Sequence, residues 1–398
     1  MKYDFDKIIN RKLSRCRKWD DKILKEKFGL SSDAIPMDIA ELDFECAPSI
    51  IEAITNRARL GEYGYTYDYD EYYDAVIDWN KRRFNCYVKR EWIKIVFGTC
   101  GALHYIVQCF CDKGDSVMIN TPAYDPFAEA IEQGEAKLIC NTLKLKDMRY
   151  YLDFEEMEKQ IIENKVKLFI FCSPQNPSGR VWTKDELDKL CKICLKHNVL
   201  LVCDEIHRDI VFKREDFTTI WNSNKDICNN SIVCVSPNKG FNLGGIKSSY
   251  LLIKNEKIRE KMFNYLKKVY VTSPHVFIIP ATIGAYNGGE DWIDEVTQYI
   301  LGNFEILYEW FEKNMPKAEV MKSEASFLAW INIKNVFKDE VELKKFFYDA
   351  KISMVVGSYF VKDGEGFVRL NIGTPRIILL EALNRMEKAL KLNNIEIN

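Results

Sequence analysis

Histidine is scarce in this sequence, and long apolar runs are absent. The 398 residues include only four histidines, and no two of them are spaced as a pair of metal ligands (His104, His197, His207 and His275). No stretch approaches the roughly 18 consecutive apolar residues that a membrane-spanning helix requires. We therefore expect no structural metal and no membrane-spanning segment.

Charge of one sign is not in excess either. The chain has 57 Lys and Arg against 59 Asp and Glu, a formal net charge of -2, which is too small for a general attraction to nucleic acid or an anionic membrane. Residues 1–21 are dense in charged side chains and lack the apolar core of a signal peptide. We expect a cytoplasmic protein whose partner is a small molecule.

The thirteen cysteines do not indicate a disulfide framework, because they are scattered, odd in number and lie in a large chain. Cys191 and Cys194 form a CxxC pair, but they lie in 184–197, which has the pattern of an amphipathic helix. No second pair of cysteines or histidines lies near them in sequence, as a zinc site would require. We interpret the pair as two small apolar residues of that helix.

The middle of the chain alternates short apolar runs with helical patterns. Seven runs of four or five residues are rich in Val, Ile, Leu and Phe, as in strands that are buried on both faces of a parallel sheet. They are 93–97, 117–120, 137–140, 168–172, 199–203, 232–235 and 250–253. Helical patterns such as 102–112 and 155–163 fall between them. The sequence therefore predicts an α/β fold with a mostly parallel seven-stranded sheet.

The C-terminal third has a different pattern, which predicts a smaller α+β unit. Its helices are predicted at 292–314, 341–350 and 377–391, and its strands at 327–333 and 367–371. Residues 1–44 are too few to form a core alone. We predict a large domain over 45–288 and a small domain formed by 1–44 together with 289–398.

Polar residues follow three successive predicted strands, at the edge where open α/β sheets bind ligands. They are Asn176, Asp204 and Lys239, in that order. Taken singly, each has a plain alternative as a turn residue, a helix N-cap or a solvated loop lysine. Together they supply what pyridoxal phosphate (PLP) requires: an amine for a Schiff base, a carboxylate for the pyridine nitrogen and a donor beside the ring oxygen.

Longer motifs extend this pattern over nearly the whole chain. They are PMDIAELDF at 36–44, GYT at 64–66, TPAYDPF at 121–127, NPSGRVW at 176–182, DEIH at 204–207, Lys239 with Phe241 and Asn242, and GFVRLN at 366–371. With them the chain resembles the fold-type-I PLP enzymes of the aspartate aminotransferase superfamily. Within that superfamily it is similar to the MalY/PatB group of cystathionine β-lyases and cysteine-S-conjugate β-lyases. The resemblance implies a PLP-dependent transferase-like fold, pyridoxal 5'-phosphate as cofactor and a homodimer with shared active sites.

The resemblance also implies roles around the cofactor ring. Lys239 would hold the cofactor as a Schiff base and move the α-proton of the substrate. Asp204 would pair with the pyridinium nitrogen, and Asn176 and His207 would reach the ring oxygen. Tyr124 would stack on the ring and could protonate a leaving sulfur; packing in the core is its alternative.

For the cofactor phosphate, the resemblance implies backbone amides and a few side chains. The amides would be those of Thr99, Cys100 and Gly101, although the loop reads GTCGA where the group usually has GVVPA. The side chains would be those of Ser236, Lys247 and Tyr65, the last from the neighbouring subunit. Lys247 stands where many aminotransferases have an arginine and many MalY-like members have no cation, and Tyr65 has mere packing as its alternative.

The substrate would be an α-amino acid, because the resemblance implies that Arg369 clamps its carboxylate in a bidentate manner. Asn176 and Ala40 would contact the substrate as well, and a surface strand position is the alternative for Arg369. Asp38 and Glu41 would bring two acids to the mouth of the site if they face inward. They would then repel the side chain of glutamate or aspartate.

The function that these motifs favour is a PLP-dependent C–S β-lyase. It would cleave cystathionine or cysteine S-conjugates to a thiol, pyruvate and ammonia. An aminotransferase of class I/II uses the same lysine, aspartate and arginine, so this alternative stays open. A regulatory role through protein binding on the same fold is the second alternative.

We predict that the protein is yellow and that its cofactor is bonded to Lys239. Borohydride reduces a Schiff base to a stable amine, so the reduced protein should carry the cofactor on the peptide that contains this lysine. Peptide mass spectrometry identifies the labelled residue. A label on another lysine, or no label at all, would contradict the assignment.

Overall fold

The computed structural model describes residues 2–393 and 395. The helices are α1 Asp21–Phe28, α2 Pro48–Arg59, α3 Asp70–Phe84, α4 Thr99–Phe110, α5 Pro126–Gln133, α6 Phe154–Asn164, α7 Lys184–Lys196, α8 Ile220–Ser223, α9 Glu256–Lys268, α10 Ile278–Gly288, α11 Glu290–Asn314, α12 Glu340–Asp349 and α13 Arg376–Leu392. The strands are β1 Ile35–Pro36, β2 Ile93–Phe97, β3 Ser116–Thr121, β4 Lys137–Thr142, β5 Lys144–Lys146, β6 Arg149–Tyr151, β7 Val166–Cys172, β8 Leu200–Asp204, β9 Ser231–Val235, β10 Ser248–Leu252, β11 Glu319–Val320, β12 Leu328–Asn332, β13 Ile352–Ser353, β14 Val355–Val356 and β15 Phe367–Asn371.

Seven strands form the central sheet, in the order β2-β10-β9-β8-β7-β3-β4. The pairs from β9 to β4 are parallel, and β10 runs antiparallel to both of its neighbours. These are the seven strands that the apolar runs predict, with slightly shifted ends. The predicted mostly parallel, seven-stranded α/β fold is therefore confirmed.

The sheet is buried on both faces because its strands are apolar at successive positions. In β9, Val233 and Val235 belong to one apolar cluster, while Ile232 and Cys234 belong to the cluster on the other face. Helices cover the two faces, and Cys191 and Cys194 are buried residues of α7, as predicted. Within the described part of the chain, no group of three or more His, Cys, Asp or Glu side chains could hold a metal ion.

A second, four-stranded sheet lies in the C-terminal third, in the order β11-β12-β15-β14. Its central strands and the helices α11, α12 and α13 confirm the predicted α+β pattern of this region. Near the N-terminus, β1 pairs in parallel with β13. This pairing supports a small domain formed by both parts of the chain, while its boundaries at 44 and 289 stay a prediction. No helix among residues 2–393 is long and apolar enough to cross a membrane.

The carboxyl ends of six strands point to one edge of the central sheet. They belong to β2, β9, β8, β7, β3 and β4, because β10 alone is antiparallel to its neighbours in this sheet. The register places Asp204 of β8 between Cys172 of β7 and Cys234 of β9. The loops that follow these strands therefore meet at one place.

Candidate active site

Asp204 is a buried carboxylate with few partners. It ends β8, is 4% exposed, and accepts one hydrogen bond from the backbone N–H of Ile206 at 3.2 Å. Burial raises its pKa to about 7, while the nearby charge of Lys239 acts in the opposite direction. A cation that bonds to this carboxylate would hold it in the charged form.

Lys239 lies in the loop after β9, and its side-chain amine reaches across to the N-terminal part of the chain. Its Nζ donates a hydrogen bond to the backbone carbonyl of Ala40. Burial lowers the pKa of this amine, and the positive charge of Arg369 lowers it further. The amine is thus easier to deprotonate than an ordinary lysine, as a nucleophile or base requires.

Arg369 is a buried guanidinium that has only neutral partners. It lies on β15 and is 4% exposed. Its Nη1 donates to Oδ1 of Asn176 at 3.2 Å, and its Nη2 donates to the carbonyl of Asp38 at 2.8 Å. Its Nε is buried without a hydrogen-bond partner among the described residues. A buried cation that has no anionic partner is suited to binding an anionic ligand.

His207 and Tyr124 both lie near the charge of Arg369. His207 is buried, and burial together with the charges of Lys239 and Arg369 lowers its pKa to about 3, so the ring is neutral. Its Nδ1 lies 3.2 Å from the hydroxyl of Ser326. Tyr124 follows β3 and is half-buried, and burial raises the pKa of its phenol, which therefore stays protonated at neutral pH.

The start of α4 presents three backbone amides at the same sheet edge. Gly98 precedes the helix with φ of 86°, a conformation that favours glycine. The first helical hydrogen bond runs from Ala102 N–H to Gly98 C=O at 3.1 Å. The N–H groups of Thr99, Cys100 and Gly101 therefore have no partner within the helix, and such a turn suits an anion.

The remaining residues predicted to bind the phosphate are placed differently. The Ser236 hydroxyl donates to the carbonyl of Ser248 at 2.5 Å and accepts from the N–H of Asn238 at 3.0 Å, so its proton is already used. Lys247 is exposed, and the side chain of Tyr65 is fully exposed at 103%. Their roles stay predictions.

Residues 38–43, which we call the mouth segment, carry two acids that the structure pairs with cations. The Asp38 carboxylate accepts from the Ser353 hydroxyl at 2.7 Å and lies 3.4 Å from Lys27 Nζ. The Glu41 carboxylate lies 2.5 Å from Arg11 Nη2. Paired carboxylates leave little net charge to repel an acidic substrate, so this expected basis for substrate choice is lost.

Asp43 holds the mouth segment in place. Its buried carboxylate accepts from Arg11 at 2.5 Å, from Lys18 at 2.6 Å and from the indole N–H of Trp19 at 2.8 Å. Asn371 donates to two carbonyls of the same segment. Sequence reasoning missed this cluster and Ser326. The one signal for Asp43 was its place between Leu42 and Phe44, because a carboxylate that is buried with such neighbours requires partners.

Pyridoxal phosphate fits the groups that meet at this edge. The Asp204 carboxylate accepts a single hydrogen bond from the described residues and can bond a cationic ring nitrogen. Lys239 offers an amine, and the first turn of α4 offers amides to a phosphate. Asn176 and His207 lie beside them, and Arg369 still has an unsatisfied donor for a substrate carboxylate. The structure therefore brings together most of the predicted residues, with Lys247 and Tyr65 on the surface.

Comparisons with known proteins identify similar chains over nearly the whole length. The family model "Aminotransferase class I and II" matches residues 32–385. Cystathionine beta-lyase PatB of Bacillus subtilis (strain 168) is 34% identical over 97% of this chain and 100% of its own. The structure of cystalysin from Treponema denticola, which contains a pyridoxal 5'-phosphate cofactor, has a TM-score of 0.94 and 32% identity over 98% of this chain and 99% of its own. The PLP-bound C-S lyase from Staphylococcus hominis has a TM-score of 0.90 and 30% identity, with the same coverage.

We predict that Asp43→Asn lowers the free energy of unfolding by roughly 3–5 kcal/mol, because it leaves the ammonium of Lys18 buried without a carboxylate. Urea unfolding of the purified protein measures the change. The matched control is Asp21→Asn, which breaks the solvated pair of Asp21 with Lys12 and should have a much smaller effect. Equal losses in the two variants would contradict the role of Asp43.

Proposed function

The chain belongs to the family of class I and II aminotransferases, and on that basis we propose that it is a PLP-dependent C–S β-lyase. Its substrates are cystathionine or cysteine S-conjugates, which it converts with water to a thiol, pyruvate and ammonia. The observation that carries the proposal is the buried Arg369, which lacks an anionic partner and contacts Asn176 beside Lys239 and Asp204. This arrangement suits an α-amino acid whose α-carbon lies at the amine.

The cofactor supplies an electron sink for negative charge at the α-carbon of the substrate. Lys239 Nζ is its covalent attachment point. The Asp204 carboxylate keeps the ring nitrogen protonated, and that contact in turn holds Asp204 ionised despite its burial. The ring oxygen is held by Asn176 and His207, and the phosphate by the first turn of α4.

Arg369 orients the substrate through its carboxylate. In the described structure its two Nη atoms contact only an amide oxygen and a backbone carbonyl. Charge-assisted hydrogen bonds are about twice as strong as neutral ones, so a carboxylate competes well for this guanidinium. The contact fixes the α-carbon within reach of Lys239 Nζ.

Lys239 and Tyr124 move the protons. The lowered pKa of Lys239 makes its free amine a suitable base for the α-proton, and the carbonyl of Ala40 holds that amine in place. When the bond between Cβ and sulfur breaks, the sulfur leaves with the electron pair and takes a proton. The phenol of Tyr124 keeps its proton at neutral pH and is our candidate donor.

The relatives favour β-elimination over amino transfer. The site residues serve both reactions, but PatB, whose full length aligns with 97% of this chain, is named a cystathionine beta-lyase. The cations near the mouth segment do not favour an acidic substrate, because Arg11, Lys18 and Lys27 are already paired with carboxylates. The second carboxylate of glutamate or aspartate finds no free cation among these three.

We predict that kcat/KM for pyruvate release from L-cystathionine or S-methylcysteine exceeds that for transamination of glutamate or aspartate by at least about tenfold, roughly 1.4 kcal/mol. The two reactions are measured side by side with the loaded enzyme, with and without a keto acid. Lys239→Ala is the control for cofactor-independent background. Efficient glutamate transamination without pyruvate from any sulfur substrate would overturn the lyase proposal.

We propose a homodimer with shared active sites and a cytoplasmic location. Support for the dimer comes from residues 61–69, which have no helix or strand and expose the rings of Tyr63, Tyr65 and Tyr67. Exposed aromatic side chains of this kind are typical of an interface. All thirteen cysteines are free thiols, a state that a reducing compartment maintains.

We predict that mixing Lys239→Ala chains with Tyr65→Phe chains restores activity. A mixed dimer has one site with Lys239 from one chain and Tyr65 from the other, so this site is native. The control mixes Lys239→Ala chains with Asp204→Ala chains. Lys239 and Asp204 of a given site come from the same chain, so each site of this mixed dimer lacks one of the two residues. The rates of both mixtures are compared with those of the unmixed variants. Equal recovery in both mixtures, or a monomer in light scattering, would refute shared sites.

A further inference from the structure

We propose that Ser326 is a positioning residue that fixes the tautomer of His207, so that the Nε2–H of His207 faces the cofactor ring oxygen. This inference rests on the proposed cofactor and adds a residue that acts through His207. Ser326 Oγ lies 3.2 Å from Nδ1 of His207, and both residues are buried. Nε2 has no hydrogen bond to any residue that the structure describes, so it remains available to a ligand.

The first step is that His207 is neutral. It is buried, with the ring of Phe327 at a centroid distance of 6.3 Å, and burial together with the positive charges of Lys239 and Arg369 lowers the pKa of its ring. A neutral imidazole carries one proton, on either Nδ1 or Nε2. The partner of Nδ1 therefore decides whether Nε2 donates or accepts a hydrogen bond at the cofactor.

The second step is that Ser326 donates. Within the described structure its hydroxyl has no acceptor other than Nδ1 of His207. If Nδ1 carried the proton instead, the buried hydroxyl proton would have no acceptor, and an unmade bond of a buried donor is costly. Nε2 would then direct a lone pair at the ring oxygen, which is itself an acceptor. Both effects favour the proton on Nε2.

The third step is that the backbone holds Ser326 firmly. Its φ is 72°, in the left-handed region that few residues other than glycine adopt. Its N–H donates to the carbonyl of Ile210 at 2.8 Å, and the preceding Ala325 forms an antiparallel bridge with Val211. Ser326 is thus fixed relative to the 207–211 loop that carries the histidine.

The same segment, residues 323–326, also holds the loop of Asn176. The carboxylate of Glu324 accepts from the N–H of Val181 at 2.9 Å, and its own N–H donates to the carbonyl of Gly179. Gly179 has φ of 69°, and a Cβ there would lie 1.9 Å from Oγ of Ser323. The two side chains proposed for the ring oxygen are therefore positioned from one segment.

The tautomer can be measured directly, because the chain has only four histidines. We would record ring 15N chemical shifts of histidine-labelled protein, with and without PLP, and assign His207 by its loss in His207→Asn. The expected result is the Nε2–H tautomer in the unaltered protein and a mixture of tautomers in Ser326→Ala and Ser326→Gly. Glycine suits the backbone at 326, so Ser326→Gly separates loss of the hydroxyl from strain. An Nδ1–H tautomer in the unaltered protein, or no change in the variants, would overturn the proposal.

A second measurement separates positioning from general stability. The affinity for PLP is compared with that for 3-deoxypyridoxal phosphate, which lacks the ring oxygen. Ser326→Gly should weaken PLP binding about tenfold and change binding of the deoxy analogue by less than about twofold. Equal weakening of both ligands would show a merely structural role and overturn the proposal. If the unaltered protein binds no PLP, the proposed function fails, while the 15N spectra still test Ser326.

Discussion

The in-register parallel pairing of β7, β8 and β9 is the constraint on which the site depends. It places Cys172, Asp204 and Cys234 side by side across the sheet. The loops that carry Asn176 and Lys239 then begin on either side of Asp204. A shift of one residue in β8 would turn the Asp204 side chain to the opposite face. The apolar residues that alternate between the two cores oppose such a shift, so the packing of the core also sets the geometry of the site.

The site contains buried charges that are only partly paired, as a comparison of Asp204 with its neighbour Glu205 illustrates. Glu205 follows Asp204 directly and is equally buried, yet it accepts from Arg208, from the hydroxyl of Thr219 and from the N–H of Ile220. Asp204 has one backbone donor, and Arg369 has neutral partners. A structural charge in a protein interior obtains its partners from the fold. These two charges are left to be completed by ligands, which agrees with the binding roles we propose for them.

The local pattern of the sequence is sufficient to predict the sheet and the residues that follow its strands. Lys239, Asp204 and Asn176 can be found because each stands a few residues or less after an apolar run. The partners of the mouth segment cannot be found in this way, since Asp38 meets Ser353, which is 315 residues distant. Ser326 cannot be found in this way either, because 119 residues separate it from His207. Contacts of this kind depend on how distant parts of the chain come together in the fold, and no short motif records them.

The mouth segment connects the stability of the fold with ligand binding. Its carbonyls at Asp38 and Ala40 accept from Arg369 and Lys239, the two cations that we assign to substrate and cofactor. Neutral carbonyls satisfy these donors without neutralising their charge, so an anionic or covalent partner can replace them at small cost. The carbonyls remain in position because the buried Asp43 anchors the segment through Arg11 and Lys18. An ion cluster that stabilises the fold thus also keeps the two cations correctly placed for binding.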